Sequence, residues 1–335
     1  MITENLITWQ SRLPTWQQSL QNAVRDPQEL LTLLELPPNL LQDTVWENPR
    51  FHLRVPRGYV ARMQKGNIHD PLLRQVLPLQ AEQLPLDNFT TDPVGDNAAS
   101  KGSGLLHKYQ GRVLIIVTAA CAIHCRYCFR QHYDYRENNS SELQNIYNYI
   151  QADNSIHEVI LSGGDPLSVK DSRLLELINL LATIPHLQRL RIHSRLPIVL
   201  PERVTPELIM ALTQTRLQTI MVVHANHAAE LDNSVAQALQ KLANAGITLF
   251  NQAVLLRGVN ADVESLVQLH ERLFEQRVVP YYLHLLDRVQ GAGHFEVSET
   301  AALSLIETMR ERLSGYLVPR LVREVAGLGY KSPIF

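Results

Sequence analysis

The chain has 335 residues, 45% of them apolar, and a formal net charge of −2. That size fits one large domain or a domain with an appendage, and the apolar share is ample for a core. A pI near 6.7 excludes a strongly basic nucleic-acid or membrane-surface binder, and no run of about eighteen apolar residues predicts a span. The start, MITENLITWQ, lacks the basic and apolar regions of a signal peptide, and the three cysteines offer no paired staples, so a reducing cytoplasm is expected.

Residues 1–50 read as helical, with Asp26-Pro27 as a start signal and a break at Leu36-Pro37-Pro38. Residues 80–104 are turn-rich and predict a loop wrapping over a core. From 112 onward, β-branched runs alternate with amphipathic stretches. Strands are predicted at RVLIIVT (112–118), EVILSGG (158–164), LRIHS (190–194), QTIMVVH (218–224), ITLFNQAVL (247–255) and VVPYYLHLLD (278–287). Helices are predicted at 172–184, 234–246 and 263–276, with Gly246 closing the second as a C′ glycine. Six successive units without hairpin turns predict a parallel sheet, its apolar strands covered on both faces, as a curved partial barrel or a doubly wound sheet.

In a barrel the site gathers at the C-terminal ends of the strands. Those ends carry Cys121 and its partners, Ser162-Gly163-Gly164-Asp165, Ser194-Arg195, His224, Gln252 and Asp287. All three thiols, Cys121, Cys125 and Cys128, lie within eight positions as C-x3-C-x2-C. An odd number cannot pair off as disulfides. Four-iron clusters are usually held by four thiolates, so three leave one iron open. The alternative is structural zinc with His124 or His132 as fourth ligand.

The motif, placed just after the first strand of the series, resembles that of the radical S-adenosylmethionine superfamily, in which the open iron binds S-adenosylmethionine and one electron cleaves it to a 5′-deoxyadenosyl radical. HKYQGRVLIIVTAACAIHCRYCFR, LSGGDPL, RIHSRLPIVLPERVTPEL, HANH, NQAVLLRGVN, PYYLHLLD and SGYLVPR, spanning residues 105–331, are similar to the lysine 2,3-aminomutase family. The helical N-terminus and the end at Phe335 resemble its short bacterial branch, which makes (R)-β-lysine for elongation factor P.

The resemblance implies a partial (β/α)6 TIM-like barrel over 105–315, an N-terminal helical segment and wrapping loop over 1–104, and a cofactor-bearing C-terminal segment over 316–335. It implies a [4Fe-4S] cluster on Cys121, Cys125 and Cys128. S-adenosylmethionine would contact Ser162, Gly163, Gly164, Asp165, Arg195, His224 and Gln252. Pyridoxal phosphate would join Lys331, with Lys108 and Arg112 on its phosphate; a guanidinium fork suits that anion. Arg130 would take the substrate carboxylate, and Asp287 and Glu324 its ε-ammonium. Implied partners are L-lysine, a flavodoxin or ferredoxin as electron donor, and elongation factor P with its lysyl-ligase; neither nucleic acid nor membrane is expected. The long clostridial-type enzymes carry Asp where Glu324 stands and continue past the pyridoxal lysine with a metal-binding segment, so no zinc site is carried over. Remaining alternatives are arginine or another basic amino acid as substrate, a radical enzyme without pyridoxal phosphate, and a non-catalytic zinc protein.

Overall fold

A single nine-stranded sheet organises the computed structural model, which describes residues 15–44, 51–135 and 143–335. Its strands are β1 (Leu105–Tyr109), β2 (Arg112–Thr118), β3 (Glu158–Gly163), β4 (Arg189–Ser194), β5 (Gln218–Val223), β6 (Thr248–Val254), β7 (Val279–His284), β8 (Arg320–Arg323) and β9 (Ser332–Pro333). They lie in chain order, with β2 through β8 parallel and β1 and β9 antiparallel at the two edges. The parallel strands are those the sequence predicts, extended by β8. The β1–β2 hairpin, turning at Gly111 with φ 77°, is not predicted.

Helices α1 (Trp16–Gln21) and α2 (Pro27–Leu33) precede the sheet, and α2 starts as predicted, with Asp26 accepting from the backbone N–H of Gln28 at 2.8 Å. The helical expectation for 1–14 and 45–50 lies outside the described residues. The crossovers carry α3 (Leu143–Ala152), α4 (Asp171–Ala182), α5 (Pro206–Thr213), α6 (Asn233–Asn244), α7 (Val263–Glu275) and α8 (Glu299–Arg312). Thr205, Asp232, Asp262 and Ser298 cap α5, α6, α7 and α8 by accepting a backbone N–H three residues on, which fixes where each crossover turns back.

The sheet is not apolar on both faces. In β4, Leu190 and Ile192 are buried among the core residues that pack with the helices, whereas Arg191 and His193 line an interior cavity. β3 alternates likewise, with Val159 and Leu161 in the core and Glu158, Ile160 and Ser162 on the cavity. This period of two puts polar side chains inside the curved sheet and apolar ones beneath the helices. Near the strand starts, Glu158 pairs with both Arg189 and Arg191, so two guanidiniums share one carboxylate at the floor.

The two edges of the sheet meet through side chains. Tyr109, at the end of β1, donates its hydroxyl to Glu324, immediately after β8. Two residues of the 80–104 stretch make buried contacts with the segment after β2. Glu82 grips Arg126 with both oxygens, and Asp96 holds Arg130.

Candidate active site

The cysteine loop leaves β2 and is pinned from below. Gly164 N–H donates to Thr118 O at 2.7 Å and Asp165 N–H to Ala120 O at 2.8 Å. A Cβ on Gly164 would lie 2.5 Å from Ala120 O, and Gly163 has φ +133° with its Cβ position 2.5 Å from Thr118 O. The glycine pair therefore exists first to let the thiol loop lie on the end of β3. The Asp165 carboxylate ties β3 to β4: it accepts from Ser194 Oγ at 2.7 Å and from the N–H groups of Arg195, Leu167 and Leu196. Burial pushes it up to about 6 against those hydrogen bonds. Its oxygens are thus occupied by donors of this chain.

A cavity of about 600 Å³ collects every candidate residue: the three cysteines, Lys108, Arg112, Arg130, Ser162 through Asp165, Arg195, His224, Gln252, Asp287, Glu324 and Lys331. Burial, then repulsion from its neighbours, raises the Cys121 thiol, and burial with Cys125 pushes Cys128 up to about 12. Cys121 and Cys128, whose thiols burial holds protonated, suit a strongly cationic guest that turns them into thiolate ligands. Among the described residues they are not already drawn into a metal-binding constellation. His124 and His132, the proposed fourth ligands of a zinc site, face elsewhere, each with a ring nitrogen against a backbone carbonyl, His52 O at 2.6 Å and Gln290 O at 3.0 Å.

The cavity wall carries orphaned polar atoms. His193 Nε2, His224 Nε2, His284 Nε2 and Gln252 Oε1 are buried without partners among the described residues. Burial holds all three imidazoles below their usual range, His224 at about 4, so they stand neutral. Unsatisfied neutral groups around a cavity mark the place of a polar guest. His224 lines the same cavity, its ring centre 5.6 Å from that of His193, and the charges of Arg195 and Lys331 add to the lowering.

At the lysine end, Lys331 Nζ lies 2.8 Å from Glu324 Oε2 and 5.9 Å from the centre of the Tyr282 ring. Burial would raise the Glu324 carboxyl, but Lys331 and the Tyr109 hydroxyl hold it below its usual range. Arg323 pairs instead with Glu299 at 3.0 Å, so Glu324 is not a surface partner of its arginine neighbours. Asp287 lies past β7 rather than closing it, and burial with Glu324 nearby pushes it up to about 7 against the pull of Lys331. Lys108 and Arg130 share Asp96, at 2.6 Å each, and Arg130 also donates to Ser162 Oγ at 3.0 Å. The Arg112 guanidinium stacks over the Tyr109 ring at 4.4 Å.

Comparison with known proteins bears on the same residues. Residues 115–270 match the Radical SAM superfamily. An L-lysine 2,3-aminomutase of Haemophilus influenzae is 47% identical over 93% of this chain and 93% of its own. Another of Escherichia coli is 47% identical over 95% and 94%, and one of Clostridium subterminale 33% identical over 95% of this chain and 77% of its own. The chain belongs to the L-lysine 2,3-aminomutase family. As a member of that family it is an isomerase with a [4Fe-4S] cluster, S-adenosylmethionine and pyridoxal phosphate, which overturns the non-catalytic zinc alternative. The residues suit each group. The thiol trio fits the cluster, the orphaned His224 and Gln252 fit a polar nucleoside-bearing ligand, and Lys331 among Arg112, Lys108 and Tyr282 fits an aldehyde bearing a phosphate.

Sequence reasoning missed Tyr59, Gln75, Asp96, Tyr109, Tyr127, Asn226 and Glu230, whose side-chain bonds fix the candidate residues. Tyr109 stands in a quoted motif and is readable beside Arg112. Tyr127 and Asn226 also stand in quoted motifs but, like the rest, are ordinary polar letters whose partners, such as Gln75, lie far away in the chain.

Proposed function

We propose that the protein converts L-lysine to (R)-β-lysine by moving the α-amino group to the β-carbon. The observation that carries the reading is a cavity with three thiols and a buried arginine at one end and a lysine amine paired with the Glu324 carboxylate at the other. When bound, the cluster with S-adenosylmethionine supplies hydrogen-atom abstraction from the substrate, and pyridoxal phosphate supplies conjugation at its α-nitrogen.

Cys121, Cys125 and Cys128 would ligate the cluster, with Arg195, His224, Gln252 and the backbone of 162–165 around S-adenosylmethionine. Lys331 would hold the aldehyde, and Lys108 and Arg112 the phosphate. Arg130, braced by Asp96 and Ser162, would take the substrate carboxylate as a cation of fixed direction. Asp287 and Glu324 would meet the ε-ammonium. Glu324, which holds the Lys331 amine at 2.8 Å, is an anion able to receive an ammonium at this end of the cavity. Glutamate as substrate would bring like charges together, a cost of several kcal/mol. Filling of the cavity by the cofactors and substrate would exclude water, which protects a reactive carbon centre.

On the likeness to the short bacterial branch, the product serves elongation factor P through its lysyl-ligase, a flavodoxin or ferredoxin delivers the electron, and the setting is the cytoplasm. No helix among the described residues is long and apolar enough to cross a membrane.

The test is anaerobic incubation of the reduced, cofactor-loaded protein with S-adenosylmethionine and labelled lysine, beside an arginine control. Labelled β-lysine is expected. Conversion of arginine with lysine untouched would replace the substrate, and a persistently colourless, iron-free protein would end the reading.

A further inference from the structure

Behind the sulfur end of the cavity lies a buried network to which the reading above gives no role. Glu230 is 0% exposed. Its Oε2 lies 2.9 Å from Arg195 Nη2, and its Oε1 accepts from the backbone N–H groups of Asn226 at 2.9 Å and His227 at 3.1 Å and from Gln75 Nε2 at 3.2 Å. Gln75 Oε1 accepts from the same Arg195 nitrogen at 2.6 Å, and Tyr59 Oη lies 3.2 Å from it. Three acceptors on one nitrogen fix the plane and reach of the guanidinium. The other nitrogen, Nη1, is thereby set 2.7 Å from Cys125 Sγ.

The placement creates an electrostatic problem. A cation held beside a cluster thiolate in a dry site stabilises the extra electron of the reduced cluster and makes it a weaker reductant. One-electron cleavage of a sulfonium needs a strong one. Arginine nevertheless offers a donor to sulfur and a fork to a carboxylate that no neutral side chain matches. Glu230 reconciles the two demands: its charge cancels the monopole, while the donors of Arg195 remain aimed at the thiolate.

We propose that Glu230 is a positioning and charge-balancing residue, holding Arg195 against the Cys125 side of the cluster while keeping the cluster's reduction potential low. The inference rests on the cluster reading and not on the substrate. No lysine enters its test, so either reading can fail without the other.

The experiment compares anaerobically reconstituted wild type with Glu230→Gln, which keeps size and hydrogen-bonding capacity but removes the charge. Iron per chain, the midpoint potential in a mediated titration and methionine release from S-adenosylmethionine are measured. Expected are unchanged iron, a more positive potential and slower methionine release at a fixed applied potential. Unchanged iron with an unchanged or more negative potential overturns the proposal, since a purely structural ion pair would behave so. Should Glu230→Gln lose its iron, the double variant Arg195→Gln/Glu230→Gln, which buries no unpaired charge, decides. Recovered iron with a potential near that of wild type supports charge balance, whereas continued loss overturns it.

Discussion

Asp287 is where a single residue links electrostatics to a measurable rate. Burial, reinforced by Glu324, keeps its carboxyl protonated up to about pH 7 in the lysine-free protein. With Asp287 facing the ε-ammonium as proposed, a neutral carboxyl binds it poorly. Because the Lys331 ammonium that pulls the group down would be consumed in the loaded enzyme, affinity for lysine should rise with pH through about 7 or above. Bound substrate supplies the opposite charge and pulls the same group down, so the limb belongs to kcat/KM and not to kcat. Asp287→Asn should abolish the limb and weaken lysine binding by about 2 kcal/mol, roughly thirtyfold, since one partner of a buried charge pair is lost. A kcat/KM profile in the variant that still rises near pH 7 would assign the titration to another group. Lys331 carries a second, independent expectation. Lys331→Ala should keep the wild-type iron content, because the thiols are untouched, yet lose both turnover and any borohydride-trapped cofactor adduct. An active Lys331→Ala would contradict the aminomutase reading of the C-terminal segment.

At the scale of elements, the join between β2 and β3 is the point of least tolerance. Gly164 sits where a Cβ would meet the backbone oxygens of Ala119 and Ala120 at 2.6 and 2.5 Å, and neither is the movable end of a side chain. Gly164→Ala must therefore push the thiol loop off β3, at about 1–3 kcal/mol of local strain. Iron incorporation should fall sharply while the far-ultraviolet circular dichroism of the barrel stays at wild type; full iron loading would show that the loop yields freely. This join also shows what the sequence reveals and what it hides. Strands β2 to β7 were readable because each apolar run stops at a polar or glycine residue, the position that a barrel turns toward its site. β1 was not, because LLHKY mixes apolar residues with His107 and Lys108, and its strand character comes from pairing with β2. β8, four residues long with arginine at both ends, and the two-residue β9 are likewise defined by their neighbours. The candidate residues were legible as positions within motifs, but not as states. Nothing in the letters Asp165 or Lys108 tells that the first ties β3 to β4 and the second shares Asp96 with Arg130. Glu230 had no signal at all, since its ion-pair partner Arg195 lies 35 residues away and Gln75 lies 155 away.

For the whole molecule, the question is how a sheet whose edges are bridged by the Tyr109–Glu324 side chains keeps a radical site closed. The answer lies in segments outside the repeating units. Glu82, in the 80–104 stretch, grips the guanidinium of Arg126 within the cysteine loop, both side chains buried at 9% and 2% exposure. The same loop hangs from the N-terminal segment by its backbone, His124 N–H to Arg54 O at 3.0 Å and Arg126 N–H to Gln75 O at 2.9 Å. Removing one partner of such a buried pair costs about 3–5 kcal/mol, because the remaining charge is stranded without water. Leu72 and Leu73 of the N-terminal segment and Ala122 and Ile123 of the cysteine loop share one continuous core with the strands and helices, but the broken ion pair lies in the clamp, so the cost is expected to fall there first. Glu82→Ala should accordingly raise hydrogen exchange at His124 and Arg126 by about a hundredfold or more, since each 1.4 kcal/mol of lost opening energy is a factor of ten, while the β4 and β5 amides keep wild-type protection. Faster exchange throughout the sheet would mean that clamp and barrel unfold as one unit, and unchanged exchange in the loop would mean that Arg126 is held without Glu82. The first outcome would make closure a property of the barrel itself, and the second would move it to the Phe51 carbonyl that Arg126 also contacts.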